Sequence, residues 1–184
     1  MNRRARFRIG LFVMALLMAL ATSAGPRAAA PPTVNEDAVK AAFVYNFALF
    51  VEWPAETQHA GPFVIGVLGD DAFVDVLTSV TRGKMTSKRP VEVRRLTAVD
   101  DPRTCQLIFV GAAADGQGVM LRRARGYPVL TVGETADFLR DGGIIRFVIE
   151  NAQLRFQLHP AAAAASGLRI DPQLKRVALR AYEP

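Results

Sequence analysis

The chain has 184 residues, with 23 Lys and Arg against 17 Asp and Glu, two His, one Cys and one Trp. That length supports one ordinary domain. A single cysteine excludes a disulfide-stapled scaffold and a cysteine-built zinc cluster, and 51% hydrophobic against 22% charged residues excludes a largely disordered chain.

The N-terminus carries Arg3, Arg4, Arg6 and Arg8, then an apolar run from Ile9 to Ala21, then Thr22-Ser23-Ala24-Gly25. A basic start, a short apolar stretch and small residues define a signal peptide, predicted to be cut after Ala24. The run is too short for a membrane span, which needs about 20 apolar residues. Removing residues 1–24 removes four arginines and no acids, leaving 19 basic against 17 acidic side chains. The net charge of +6 therefore belongs mostly to the signal, and nucleic acid is not an expected partner. The expected location is the periplasm. Residues 25–35 form a Pro/Ala-rich spacer, and residues 36–184 the domain.

Asn35 is placed as a helix N-cap, with Glu36 and Asp37 in the first turn, where acids favour the helix dipole. From Glu36 to Val51, Val39, Phe43, Phe47 and Phe50 share one helical face, and Ala41, Val44, Ala48 and Val51 a second. A helix apolar on two faces is buried or docked. Tyr45 and Trp53 are its expected exposed aromatics, and Pro54 stops it. His59 falls in a polar, exposed loop. Phe63 to Leu68 reads as a strand buried on both faces. A helix over Ala72 to Val80 follows Asp70-Asp71, and a basic loop runs from Thr81 to Pro90. Val91 to Leu96 and Gln106 to Val110 are strands, Ala112 to Arg125 a helix weakened by Gly116 and Gly118. Val129 to Val132 is a strand, and Thr135 to Arg140 a helical turn. Ile144 to Glu150 and Gln153 to Leu158 form a hairpin turning at Asn151-Ala152. Ala161 to Ala165 are helical between Pro160 and Gly167. Asp171-Pro172 opens a last helix whose buried stripe is Leu174, Val177, Ala178 and Ala181. The predicted class is α/β: a single domain, a mixed central sheet flanked by helices, with a C-terminal β-hairpin and helix.

The chemistry is sparse. The chain lacks G-x-S-x-G, H-E-x-x-H and P-loop motifs, and Gly111, Gly116 and Gly118 have the spacing of turn glycines, not of a dinucleotide fingerprint. Asp70-Asp71 read as a cap and dipole partner, and His159 as a capping or surface residue. Cys105 is expected to be buried or to pair between chains. No catalytic residue, metal or cofactor is predicted. A hydrolase built on His159 with Asp70 or Asp171 would lack a recognisable nucleophile–base pair.

One segment is distinctive: Val39-Lys40-Ala41-Ala42-Phe43-Val44-Tyr45-Asn46-Phe47, continuing to Phe50-Val51-Glu52-Trp53-Pro54. It resembles the opening of YfiR/HmsC-like proteins. Matching pieces follow in order: Ile65-Gly66-Val67-Leu68-Gly69-Asp70-Asp71, Cys105 to Val110, Val129 to Gly133, Phe138 with Gly142-Gly143-Ile144-Ile145, Leu154 to Leu158, and Ser166-Gly167-Leu168. The resemblance implies a periplasmic repressor of a membrane-bound diguanylate cyclase, bound to the cyclase's periplasmic sensor part. It also implies a homodimer, and sequestration by an OmpA-type outer-membrane lipoprotein. The implied output is lower cyclic-di-GMP and less biofilm and exopolysaccharide. Family members typically carry a cysteine where this chain has Gly66, able to pair with the one matching Cys105. They often show Asn where this chain has His159.

Aromatic and arginine anchors dominate protein interfaces. The expected partner-binding residues are Tyr45, Glu52, Trp53, Arg146, Arg155, His159 and Arg169, around the end of the first helix and the hairpin. The alternative is a periplasmic small-molecule binding protein serving a sensor or transporter, because loops at strand ends of an α/β sheet suit ligands.

Overall fold

The computed structural model describes residues 36–55, 61–179 and 181–183. The predicted signal peptide, spacer, Asn35 cap and His59 lie outside the described residues. From residue 36 onward the chain is one α/β domain, as expected.

Helix α1 (Glu36–Leu49) comes first, followed by the two-residue strand β1 (Val51–Glu52). Strand β2 (Phe63–Leu68) leads into α2 (Asp71–Thr81), then the β3 (Met85–Thr86) and β4 (Arg89–Leu96) hairpin. Strand β5 (Leu107–Val110), helix α3 (Gln117–Ala124) and β6 (Leu130–Gly133) continue the alternation. The β7 (Ile145–Glu150) and β8 (Gln153–Leu158) hairpin follows, then α4 (Pro160–Ala165), β9 (Arg169–Ile170) and α5 (Pro172–Val177).

The sheet has seven strands in the order β3-β4-β2-β5-β6-β7-β8. Its five central strands run parallel, and β3 and β8 are antiparallel edges. Alternation along the strands builds one core on each face. Phe63, Ile65, Val67, Leu107 and Phe109 join the core under α1 and α2. Val64, Leu68, Ile108 and Val110 join the core under α3. Complete burial of β2 and β5 follows from helices covering both faces.

Helix α1 lies on its face through Ala41, Val44, Phe47 and Ala48. Phe47 meets Phe156 edge-on at 5.0 Å, and Phe43 meets Phe147 at 6.0 Å. These contacts clamp α1 to the β7–β8 hairpin, and such aromatic pairs are each worth about 1 kcal/mol beyond their burial. On the other face, the Phe138 ring fills the space that side chains at Gly133 and Gly143 would occupy. A β-carbon at either glycine would stand 2.2 Å from it.

Several elements differ from the sequence reading. Helix α1 ends at Leu49, because the Phe50 carbonyl accepts from the Asp171 amide and β1 pairs with β9. The basic loop contains β3, joined to β4 by a turn with left-handed Ser87 and Lys88. The expected helix over Ala112 to Arg125 starts only at Gln117, after a turn ending in left-handed Gly116. Thr135 to Arg140 form turns. The last helix stops at Val177, which is exposed, and Leu174 alone of the expected stripe is buried.

Candidate functional site

The parallel strands follow the 2-1-3-4-5 order of a doubly wound sheet, whose topological switch point falls between β2 and β5. Ligands bind such sheets at the carboxyl ends of the strands, in the crevice at that point. Here the crevice is filled. A β-carbon at Gly69 would stand 2.4 Å from Ala114, and one at Gly111 2.9 Å from the Asp70 Cβ. Asp70 itself caps α2, accepting from the Phe73 amide at 3.0 Å. The loop after β5 thus lies where a ligand would sit.

Two strands along the same edge, the gap between β6 and β7 is open. Strand β6 ends at Gly133, and Glu134 immediately beyond it binds Lys40 of α1 at 2.6 Å and accepts from the Ala112 amide at 3.1 Å. Lys40 also holds Glu36 at 3.0 Å. Burial would lower the Lys40 amine, but its hydrogen bonds to Glu134 and Glu36 outweigh that and raise it. Beside this cluster lies a cavity of about 320 Å³ that includes Arg146, Phe147, Ile149 and Leu154 in its wall. The Arg146 Nη1 donates to the Ala136 carbonyl at 2.6 Å, and its Nε is buried without a partner among the described residues.

The other residues expected at an interface are dispersed. The Tyr45 hydroxyl donates to the Met85 carbonyl at 3.0 Å, and the Lys84 ammonium lies over its ring. Glu52 and Arg169 meet at 3.7 Å across the β1–β9 ribbon, both exposed. Arg169 also borders a shallow cavity of about 370 Å³ with Pro160, Leu168 and Lys175. Arg155 stands opposite Val148 on the hairpin, on the same sheet face as Arg146 and its partner Gln157.

Two expectations need correction. Trp53 is buried, not exposed: its ring meets Phe63 edge-on at 5.1 Å, and its Nε1 donates to the Gln106 carbonyl. Gln106 explains this, because its side chain accepts from the Val64 amide at the start of β2 while its carbonyl receives the indole. His159 occupies the N-cap position of α4, but its side chain makes no capping bond. Its ring meets Tyr182 edge-on at 4.9 Å, and its Nδ1 is buried without a partner among the described residues. Asp70 and Asp171 are both occupied as helix caps, so neither is hydrogen-bonded to His159.

Cys105 is buried, and burial raises its thiol above the usual range. The position of Gly66 lies directly beside it. A β-carbon there would stand 3.0 Å from the Cys105 Sγ, within disulfide reach, and 2.3 Å from the Leu96 side chain. Leu96 therefore occupies the space of a residue that could pair with Cys105. Among the described residues no group of three or more His, Cys, Asp or Glu side chains could hold a metal ion. Lys40, Glu134 and Ile149 went unnoticed as site residues. Only Ile149 had a local signal, as the outermost member of the Ile145, Phe147, Ile149 alternation.

Fold and surface together define a single-domain α/β protein whose carboxyl-edge crevice is closed and whose open features are surface grooves. The chain belongs to the YfiR/HmsC-like family, whose model matches residues 37–179. That family consists of periplasmic regulators of diguanylate cyclases, with regulatory rather than catalytic roles. No match was found among curated proteins.

Proposed function

We propose that this protein is an exported, periplasmic repressor of a membrane-bound diguanylate cyclase. It binds the cyclase's periplasmic sensor region and keeps cyclic-di-GMP low. The observation that carries this reading is the family match over residues 37–179. The export signal read from Arg3 to Ala24 supports the compartment.

The mechanism is a population shift. A repressor acts only by binding the inactive state of the cyclase more tightly than the active one. Reversing a 1:99 bias to 99:1 takes about 5.5 kcal/mol of differential affinity, within the reach of a protein interface. An OmpA-type lipoprotein would relieve repression by competing for the repressor, and a homodimer would present two such surfaces.

The test is genetic and biochemical. Deleting the protein should raise cellular cyclic-di-GMP in a strain with its cognate cyclase and leave it unchanged in a strain without that cyclase. An unchanged level with the cyclase intact would overturn the reading.

A further inference from the structure

A sheet edge exposes main-chain donors and acceptors, and proteins guard such edges with charges, proline or a covering segment. Two edges here are guarded. On β4, β3 pairs with Arg89 and Pro90, and the strand beyond them carries Glu92, Arg94 and Arg95. On β8, the C-terminal segment covers the strand: the Leu179 amide donates to the Phe156 carbonyl at 2.8 Å, and the Tyr182 amide to the Leu158 carbonyl at 2.6 Å.

The third edge is an interior notch. Strand β6 pairs with β7 only at Ile145 and Arg146, because it ends at Gly133. From Phe147 to Glu150 no strand among the described residues lies on that side of β7. The His159 amide donates to the Ile144 carbonyl at 2.8 Å, which sets the alternation of the hairpin ladder. Arg146, Val148 and Glu150 then turn their main-chain groups toward β8, and Phe147 and Ile149 turn theirs toward the notch. Among the described residues, no backbone or side-chain bond takes up the Phe147 carbonyl or the Ile149 amide and carbonyl.

The notch sets apolar Phe147, Ile149 and Leu154 beside charged Glu36, Lys40, Glu134 and Arg146. Ile149 is 58% exposed, between the 320 Å³ cavity and a second of about 450 Å³ that reaches Val39 and Ala152. Leu154 lines both. The Lys40 charge is already met by Glu134 and Glu36. Arg146 lines the same cavity and has no carboxylate partner among the described residues.

We propose that this notch is a β-augmentation site for an extended segment of a protein partner. The segment adds a short strand of about four residues along Phe147 to Glu150, in the line that β6 leaves vacant. Its main chain bonds the Ile149 amide and carbonyl. Alternate aliphatic side chains lie against Ile149, Leu154 and Val39, and an acidic side chain meets Arg146. A single slender chain is the occupant, because α1, through Glu36 and Lys40, and the turn at Ala136 both border the notch. A folded sheet edge from a second copy would bring its neighbouring strands against that helix. The inference does not depend on the cyclase reading, since a defined peptide tests it.

The probe is the end-blocked peptide Thr-Val-Asp-Val-Thr-Val-Thr, titrated into the purified full-length protein and followed by amide chemical shifts. Saturable shifts should centre on Phe147 to Glu150 and include Lys40. N-methylation of the peptide's inward-facing amides should weaken binding by about tenfold or more, the loss expected for a main-chain bond. Ile149→Pro removes the notch-facing donor without touching the β8 ladder, and should weaken binding as much. Ile149→Lys, a surface change, should do the same and covers the case in which the proline variant does not fold. Arg146→Ala should weaken the Asp peptide several-fold and leave its Asn analogue unaffected. Absence of saturable shifts at millimolar peptide would overturn the proposal. So would shifts confined to the β4 or β8 edge, or equal binding of the N-methylated peptide. A dimer that Ile149→Lys dissociates would assign the notch to a second copy and also overturn it.

Discussion

The carboxyl ends of β2 and β5 and those of β6 and β7 are gaps two strands apart in one parallel sheet, yet they end in opposite ways. In the first gap, Gly69 and Gly111 let backbone approach backbone, and Ala114 fills the crevice. In the second, β6 stops early, and a bridge of Lys40 and Glu134 spans the top without filling the space below. The architecture's usual ligand position has become solid protein, and the opening has moved two strands along. Both ends carry close-packed glycines, and what differs is what they admit: Ala114 of the connecting loop at the first, the Phe138 ring at the second.

The largest expected effects come from the closed gap and from the core at the opposite ends of β2 and β5. Gly69→Val should cost about 3 kcal/mol or more of stability, since the residue has φ +74 and no room beside Ala114. Urea unfolding measures it, and a loss below 1 kcal/mol would mean that the loop is not wedged there. Trp53→Ala should cost about 3–5 kcal/mol in the same assay, the range for a buried aromatic ring. Glu52→Ala and Arg169→Ala should each change stability by less than about 1 kcal/mol, because their ion pair is exposed. That contrast separates a core residue from surface residues within the expected partner set.

The open gap should respond more gently. Glu134→Gln removes one of the two acids holding Lys40 and should cost about 1–2 kcal/mol. The pH dependence has a definite sign. The Lys40 amine is raised in the folded protein, so its contribution is fully present below the ordinary value of 10.5 and is lost as pH climbs through the raised one. The stability difference between wild type and Lys40→Met should therefore stay constant from pH 5 to pH 9 and shrink only above the ordinary lysine range. The smallest effect lies at the hairpin tip. Ala152 sits at φ +58, and Ala152→Gly should stabilise the protein by about 1 kcal/mol, sharpening the β7 edge without altering its side chains.

Much of this fold is legible in local pattern. The unbroken run from Phe63 to Leu68 marks β2, and the alternation on either side of Asn151-Ala152 marks β7 and β8 with their observed turn. The missed pieces depend on distant partners or unmarked turns. Strands β1 and β9 have two residues each and pair Val51 with Ile170. The β3–β4 turn uses Ser87 and Lys88 in left-handed conformations without a glycine to announce it. Residues 112–116 have helical composition but are needed to fill the crevice. The same limit applies to the site. Arg146 stood out in the sequence by residue type, whereas Lys40 and Glu134 meet across 94 positions and no local pattern joins them. Trp53 reads as exposed because Gln106, the residue that receives it, lies 53 positions away.

The Phe138 ring, set against Gly133 and Gly143, carries a consequence for the β7 notch. The chain leaves β6 at Gly133 and turns back to plant that ring in the interior, so the strand has no length left to run beside Phe147. The vacancy on the surface is thus a shadow cast by a core residue. Surface substitutions can recolour the notch but cannot close it. Closing it would require the ring to let go, so core stability and the availability of the edge rise and fall together.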